Sequence, residues 1–186
     1  RSFEDTDQPE HWSLAAKGSA KAAMKISLAK PAGADMLRTR NRRSLEVSVA
    51  EADAANAVTV ANEGYWGMAV KAGASYDLSF HARAAAGISA LTVSLESTDG
   101  KVYASKTVKG LGADWKGYKV EFKSAGTDPK ARLVFSAAAK GTFWLDMVSL
   151  FPRDTWKGHG MRSDLMEMLA DLKPAFIRFP GGCWVE

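Results

Sequence analysis

Alternating apolar and polar residues dominate the first 150 positions of the chain and predict β-strands. The clearest alternation runs from Tyr76 to Arg83, where four apolar residues take turns with four polar ones. The same pattern recurs at 91–96 and 118–123, and each such strand is expected to bury one face and expose the other. Shorter candidate strands lie at 11–15, 22–29, 45–50, 58–61, 132–136 and 142–150.

The spacing of these candidates indicates one antiparallel β-domain. The stretch Ser97-Thr98-Asp99-Gly100 predicts a hairpin turn, because Asp-Gly supplies the residue with positive φ. No helical period is found before residue 160. Around ten short strands with regular turns are typical of a β-sandwich, and we expect a jelly roll over residues 1–152.

The last 34 residues, 153–186, follow a different pattern, which begins with a helix. Ser163 or Asp164 is expected to cap its start, and Glu167 stands three residues after Asp164, as in a capping box. Pro174 is expected to end it. The apolar stripe that predicts the helix consists of Met161, Leu165, Met168, Leu169 and Leu172.

A short strand is predicted at 175–179, apolar on both faces except for Arg178. Strands of this kind are buried in parallel sheets, where each needs a parallel neighbour that is reached through a long crossover. No second candidate follows within the 186 residues. We therefore expect the chain to carry only the opening of an α/β domain.

Several segments resemble one enzyme family. The C-terminal quarter contains LDMVSLFP, DTWKGHGMRSDL and LADLKPAFIRFPGGCWVE, the chain opens with RSFED, and the middle contains NEGYWGMAVKAGASYDLSFHARA. These segments resemble the α-L-arabinofuranosidases of glycoside hydrolase family 51. The resemblance implies a carbohydrate-binding-module-like jelly roll at 1–152. It also implies the first helix and following strand of a truncated (β/α)8 barrel at 153–186.

The resemblance further implies a retaining glycosidase that releases terminal arabinofuranosyl residues from arabinan or arabinoxylan. Such an enzyme needs two carboxyl groups about 5–5.5 Å apart. In the family these glutamates lie on later barrel strands, so we predict no catalytic residue in this chain and no activity of the chain alone. The alternatives are a stand-alone module that binds plant polysaccharide and a structural insert that binds none.

Candidate substrate-binding residues follow the predicted barrel strand, at Gly182, Cys183 and Trp184. Functional groups of (β/α) barrels stand at the C-terminal ends of strands. The resemblance implies that Cys183 contacts the arabinose ring without acting as a nucleophile; otherwise it is a small buried residue. Trp184 either walls that pocket or packs within the barrel.

Exposed aromatic rings are a second kind of candidate, because sugars stack on them; the alternative for each is a place in the core. Tyr65 and Trp66 follow a turn, and Trp115 follows a loop, so these three form the predicted glycan face. The wider set of candidates is Trp12, Tyr65, Trp66, Trp115 and Trp144.

A structural calcium ion is the only cofactor that the sequence suggests. Glu4 and Asp146 lie where binding-module families 4 and 9, which the middle of the chain resembles, place their ligands, and carboxylates suit Ca²⁺. The alternative is a surface carboxylate at Glu4 and a turn-stabilising aspartate at Asp146.

Charge and composition change this picture little. Lys and Arg number 25 against 21 Asp and Glu, a net charge of +4, too balanced to indicate a nucleic-acid partner. No apolar run approaches the length of a membrane span, and Cys183, the single cysteine, allows no intrachain disulfide. The expected partners are plant cell-wall polysaccharide and the remainder of the barrel, and a secreted or periplasmic location is favoured over the cytoplasm.

Overall fold

The computed structural model describes residues 3–4, 7–28 and 42–176. The chain divides into two compact units, Arg1–Phe151 and Pro152–Glu186. The described part of the first unit is built almost wholly from β-strands.

Eleven strands are present among the described residues, the last of which reaches one residue into the second unit. They are β1 Trp12–Ala16, β2 Lys21–Ser27, β3 Ser44–Glu51, β4 Val58–Asn62, β5 Met68–Val70, β6 Ser75–Ala84, β7 Ala90–Glu96, β8 Val102–Lys109, β9 Lys116–Lys123, β10 Asp128–Ala137 and β11 Gly141–Pro152.

These strands form two sheets. One sheet has the order β1-β4-β10-β7-β8, with β5 also paired to β10, and the other has the order β2-β3-β11-β6-β9. The pairings are antiparallel, and most neighbours within a sheet are not consecutive in sequence. The predicted mainly β, jelly-roll sandwich is confirmed.

The core lies between the two sheets, as the alternation predicted. In β6 the side chains of Tyr76, Leu78 and Phe80 are buried, whereas the polar residues between them are not. Phe80 meets Phe135 of the other sheet edge to face, with ring centres 5.1 Å apart. Each such aromatic side chain contributes about 2–3 kcal/mol through burial.

Two strands, β5 and β8, were missed by the sequence pattern. In β8 most side chains are exposed, and Lys106, which pairs with the buried Val93, stands where alternation would need an apolar residue. This strand ends the strand order of its sheet, where lysines discourage pairing with another chain. Tertiary pairing with β7, rather than local pattern, therefore defines it.

The predicted hairpin between β7 and β8 is confirmed. Gly100 has φ +91°, and its amide donates to the Ser97 carbonyl oxygen at 3.2 Å. The Ser97 hydroxyl donates a short hydrogen bond to Asp99, which holds the pKa of that carboxyl below its usual value. The Asp-Gly pair thus acts as the sequence indicated.

The second unit contains a 3-10 turn at Trp156–Gly158 and one α-helix, α1, at Ser163–Asp171. The helix is where the periodicity placed it, and none of its residues is buried. The described helices include none long and apolar enough to cross a membrane.

The predicted cap of α1 is wrong. The N-cap residue is Arg162, and no side chain caps the helix there. Asp164 instead accepts two hydrogen bonds from the Arg162 guanidinium, at 3.0 and 2.5 Å, which lowers the pKa of the carboxyl. The predicted strand at 175–179 lies mostly outside the described residues.

Candidate functional site

The predicted pocket residues at the C-terminus, Gly182, Cys183 and Trp184, lie outside the described residues, as does Arg178. Their role in substrate binding stays a prediction. The site that can be built from the described residues lies in the sandwich.

The turn between β4 and β5 holds Tyr65 and Trp66 on a tightly folded backbone. The Asn62 side-chain oxygen accepts the Gly64 amide at 3.0 Å, and the Gly67 amide donates to the Glu63 carbonyl oxygen at 3.1 Å. Both glycines have positive φ, +64° and +94°. At Gly67 a Cβ would lie 2.5 Å from the Lys130 Cα, so only glycine lets the turn sit against β10.

This backbone presents two aromatic side chains to solvent. Tyr65 is 73% exposed and Trp66 is 85% exposed. Their rings meet edge to face at 5.1 Å, and the His11 ring lies 5.0 Å from Tyr65. Adjacent exposed aromatic rings on a glycine-anchored turn form a ready surface for a planar apolar face such as that of a sugar.

A cleft of about 590 Å³ adjoins these rings. Trp12, Leu133 and Val148 contribute apolar surface to it, and His11 and Tyr65 line it as well. Trp12 is partly buried, with its ring centre 5.6 Å from that of Phe3 and 6.1 Å from that of Phe135. Its place among core rings favours the packing alternative for this tryptophan.

Trp115 is not brought together with Tyr65 and Trp66. The Tyr65 turn joins two strands of the six-stranded sheet, whereas Trp115 directly precedes β9 of the five-stranded sheet. Trp115 lies instead near Trp144, and between them stands Arg83, whose guanidinium carbon is 4.1 Å from the Trp144 ring centre and 5.7 Å from that of Trp115.

Arg83 is a site residue that the sequence did not suggest. The alternation of β6 marked it as a residue of the exposed face. Its indole neighbours come from β11 and from the loop before β9, so only the sheet pairing reveals the cluster.

Glu4 and Asp146, the predicted calcium ligands, lie near one another. Asp146 is 1% exposed, and its Oδ1 accepts the Met147 amide at 2.7 Å. Glu4 Oε1 accepts the backbone amides of Arg42 and Arg43 at 2.6 and 2.7 Å. Burial, and then the Glu4 charge, raise the pKa of Asp146 to about 6.

The donor set is chemically suited to a hard cation. Asp146 Oδ2 is buried without a hydrogen-bond partner, and so is the hydroxyl of Ser44. Leu45 pairs with Leu145, so the antiparallel run of β3 and β11 brings Ser44 beside Asp146. Among the described residues no group of three or more His, Cys, Asp or Glu side chains could hold a metal, so carbonyl oxygens and water would have to complete the shell.

The fold belongs to a broad class. The sandwich resembles the family 11 carbohydrate-binding module of Clostridium thermocellum solved with a mixed-linked tetrasaccharide, with a TM-score of 0.53 and 14% identity over 81% of this chain and 92% of that one. A likeness at this identity concerns the fold alone. The class defined by fold is therefore a carbohydrate-binding-module-like jelly roll.

Sequence comparison is more specific. The chain is 45% identical over 133 residues to α-L-arabinofuranosidase 2 of Arabidopsis thaliana, covering 69% of this chain and 20% of that protein. It is 40% identical over 156 residues to an extracellular exo-α-L-arabinofuranosidase of Streptomyces chartreusis, covering 82% and 18%. A search against protein-family models gave no match.

A solved structure agrees with these relatives. The arabinose-bound MgGH51 α-L-arabinofuranosidase superposes with a TM-score of 0.75 and 29% identity over 93% of this chain and 28% of that one. The chain is thus similar to a part of these α-L-arabinofuranosidases. It spans about a fifth of the length of the curated relatives it matches.

Proposed function

We propose that the chain is a section of an α-L-arabinofuranosidase that removes terminal arabinofuranosyl residues with retention, from arabinan or arabinoxylan. The observation that carries this proposal is the identity of 45% and 40% to arabinofuranosidases from a plant and a bacterium. The extracellular Streptomyces relative supports export of the protein. Cys183 and its neighbours contribute to the arabinose pocket in this proposal.

The catalytic proposal is tested on the longer protein of which this chain is a section. Purified protein is assayed with 4-nitrophenyl α-L-arabinofuranoside and with the corresponding β-D-xylopyranoside. We expect turnover of the arabinofuranoside with retention, so that NMR detects the α-anomer of arabinose as the first-formed product. Preference for the xyloside, or inversion of the anomeric centre, would overturn the proposal.

The sandwich itself serves to hold polysaccharide at the turn between β4 and β5. The supporting observation is the pair of exposed rings, Tyr65 and Trp66, beside the cleft that His11 lines. Stacking of a sugar on one exposed ring contributes on the order of 1 kcal/mol. The planes of the two rings are nearly perpendicular, at 80°, so each ring offers its own face for stacking. A structural insert that binds no glycan predicts instead that its aromatic side chains are mostly buried.

This binding proposal is tested by affinity electrophoresis of the 186-residue chain on arabinan and arabinoxylan. We expect retardation on at least one of them, and its loss in Tyr65→Ala and Trp66→Ala. Val102→Ala, which trims another exposed apolar side chain, serves as the matched control and is expected to migrate like the unaltered chain. Equal migration of all four proteins on both glycans would support the structural insert instead.

The carboxylates of Glu4 and Asp146, with the Ser44 hydroxyl, hold a structural Ca²⁺ in this account. The buried, unpartnered Oδ2 of Asp146 supports the proposal, because such an atom is costly unless a cation or donor meets it. When bound, the ion would hold the N-terminal segment against the start of β3. A calcium-dependent rise in melting temperature that is absent from Asp146→Asn tests this site.

A further inference from the structure

One row of side chains crosses the outer face of the five-stranded sheet. Lys25 of β2 pairs with Glu46 of β3, and Glu46 pairs with Trp144 of β11. Arg83 of β6 lies on Trp144, and Trp115, just before β9, lies beyond it. The row alternates charged and aromatic groups across the whole width of the sheet.

Arg83 is held rigidly within this row. Trp144 lies against its guanidinium at 4.1 Å, and Trp115 stands 5.7 Å away, so the planar cation is positioned by two indoles. Stacking on aromatic rings leaves the edge of a guanidinium, which carries its N–H donors, free to bind other groups. Two indole rings therefore fix the direction in which these donors point.

No carboxylate within the described part of the chain neutralises Arg83. The groups that contact it are the two indoles, and its Nε is buried without a hydrogen-bond partner. Glu46, in the same row, is already engaged: it accepts the Trp144 indole N–H at 3.0 Å and pairs with Lys25 at 3.2 Å. Burial raises the pKa of Glu46, but hydrogen bonds with Ser27, Trp144 and Lys25 outweigh it and leave that pKa below its usual value.

Further unpartnered donors surround Arg83. The indole nitrogen of Trp115 and Nδ1 of His81 are buried without hydrogen-bond partners, and His81 stands two residues before Arg83 on the same face of β6. A partly buried cation and neighbouring donors without an acceptor favour an oxygen-rich anion. Arg and carboxylate match in geometry, since both are planar and form two parallel hydrogen bonds.

We propose that this row is a second glycan-binding surface, and that Arg83 binds the carboxylate of a uronic acid residue. The inference rests on the glycan-binding role of the sandwich, but it concerns residues separate from the Tyr65 turn. The sugar ring lies along the indole edges, and its carboxylate accepts hydrogen bonds from the terminal N–H groups of the guanidinium, which, unlike Nε, are not among the buried unpartnered atoms. The surface thereby selects acidic over neutral glycan chains.

The test uses a matched pair of ligands and the whole 186-residue chain. Isothermal titration compares a xylo-oligosaccharide that carries one glucuronic acid with the neutral xylo-oligosaccharide of the same backbone. NMR follows the indole N–H of Trp115 and the Nε–H of Arg83. We expect selective binding of the acidic sugar, salt-dependent affinity and shifts of both signals.

Variants separate the proposed contact from a general charge effect. Arg83→Gln is expected to lower affinity for the acidic sugar about tenfold or more, and Arg83→Lys to restore only part of it. Lys119→Gln removes an equal charge from the same face, opposite Ser79, and is expected to change affinity little. Tyr65→Ala is expected to leave binding of the acidic sugar intact, whatever it does to arabinan.

Three outcomes would overturn the proposal: equal affinity for the acidic and neutral sugars, no binding of either, or unchanged affinity in a folded Arg83→Gln chain. Loss of arabinan binding in Tyr65→Ala without any uronate binding would leave the proposed function standing and remove this inference alone. If Arg83 only packs against Trp144, Arg83→Gln lowers the stability of the fold, and the unaltered chain shows no preference for the acidic sugar.

Discussion

Among the single residues that the structure describes, Asp146 is the one whose carboxyl pKa in the fold departs furthest from its usual value in water. Its folded-state pKa is raised from 3.8 to about 6, first by burial and then by the Glu4 charge. The fold therefore favours the neutral carboxyl. Stability from this group is complete below about pH 4 and is lost as the pH rises through about 6. A bound cation would reverse that preference, because it favours the charged form.

Substitution of Asp146 separates these two effects. In the presence of chelator, we expect the unfolding free energy of the native chain to fall relative to Asp146→Asn as the pH rises from about 4 to 8. The difference is up to about 3 kcal/mol, from 1.36 kcal/mol per pKa unit. Urea unfolding at several pH values measures it.

Calcium provides the second arm of that experiment. At neutral pH, added Ca²⁺ is expected to raise the melting temperature of the native chain and to leave Asp146→Asn unchanged. An equal response of the two proteins would remove Asp146 from the proposed calcium site. A flat pH profile of the difference between them would contradict the raised pKa.

The exposure of a side chain was predictable where the neighbouring residues in the sequence indicated it. Tyr65 and Trp66 follow a turn in the sequence, and both are exposed in the structure. Arg83 carried no such signal, because its environment comes from β11 and the loop before β9, distant in sequence. The prediction that Trp115 shares one face with Tyr65 failed for the same reason. The alternation of apolar and polar residues within a strand does not indicate to which sheet that strand belongs.

At the scale of elements, the turn from β4 to β5 depends on Gly67. Its φ of +94° is strained for any other residue, and an added Cβ would meet the Lys130 Cα at 2.5 Å and the Pro129 carbonyl oxygen at 3.0 Å. Both contacts are with backbone atoms, which cannot move aside without shifting β10. The position of Tyr65 and Trp66 is thus linked to the packing of the turn on β10.

Gly67→Ala is expected to lower the unfolding free energy by about 2–4 kcal/mol and to weaken glycan retardation. Gly73→Ala is the matched control: its φ is +78°, but nothing lies within 4 Å of an added Cβ. We expect it to cost about 1 kcal/mol and to keep glycan binding. Equal losses in the two variants, measured by chemical denaturation, would show that the contact with Lys130 is unimportant.

Elements with strong alternation were predictable, and elements defined by pairing were not. β6 was recognised because one of its faces is buried. β5 has three residues, and β8 is mostly exposed, so neither buries enough apolar surface to impose a pattern. The cap of α1 was mistaken because Asp164 bonds the Arg162 guanidinium, and Arg162 takes the N-cap position, neither of which the local pattern indicated.

At the scale of the whole molecule, the account assigns different tasks to different parts. In the proposals above, the sandwich offers aromatic and charged surfaces for glycan, and none of its carboxylates takes part in cleavage. The match to arabinofuranosidases over about a fifth of their length supports catalysis that depends on the rest of such a protein. The proposed link to arabinofuranosidase activity came from sequence resemblance, because the packing of a β-sandwich does not specify a reaction.

The most direct measurement is arabinose release from arabinan by the 186-residue chain and, in parallel, by the longer protein that contains it. The account predicts release by the longer protein and none by the chain alone at equal molar concentration. Release by the chain alone would contradict the account, and so would a longer protein that binds arabinan without releasing arabinose.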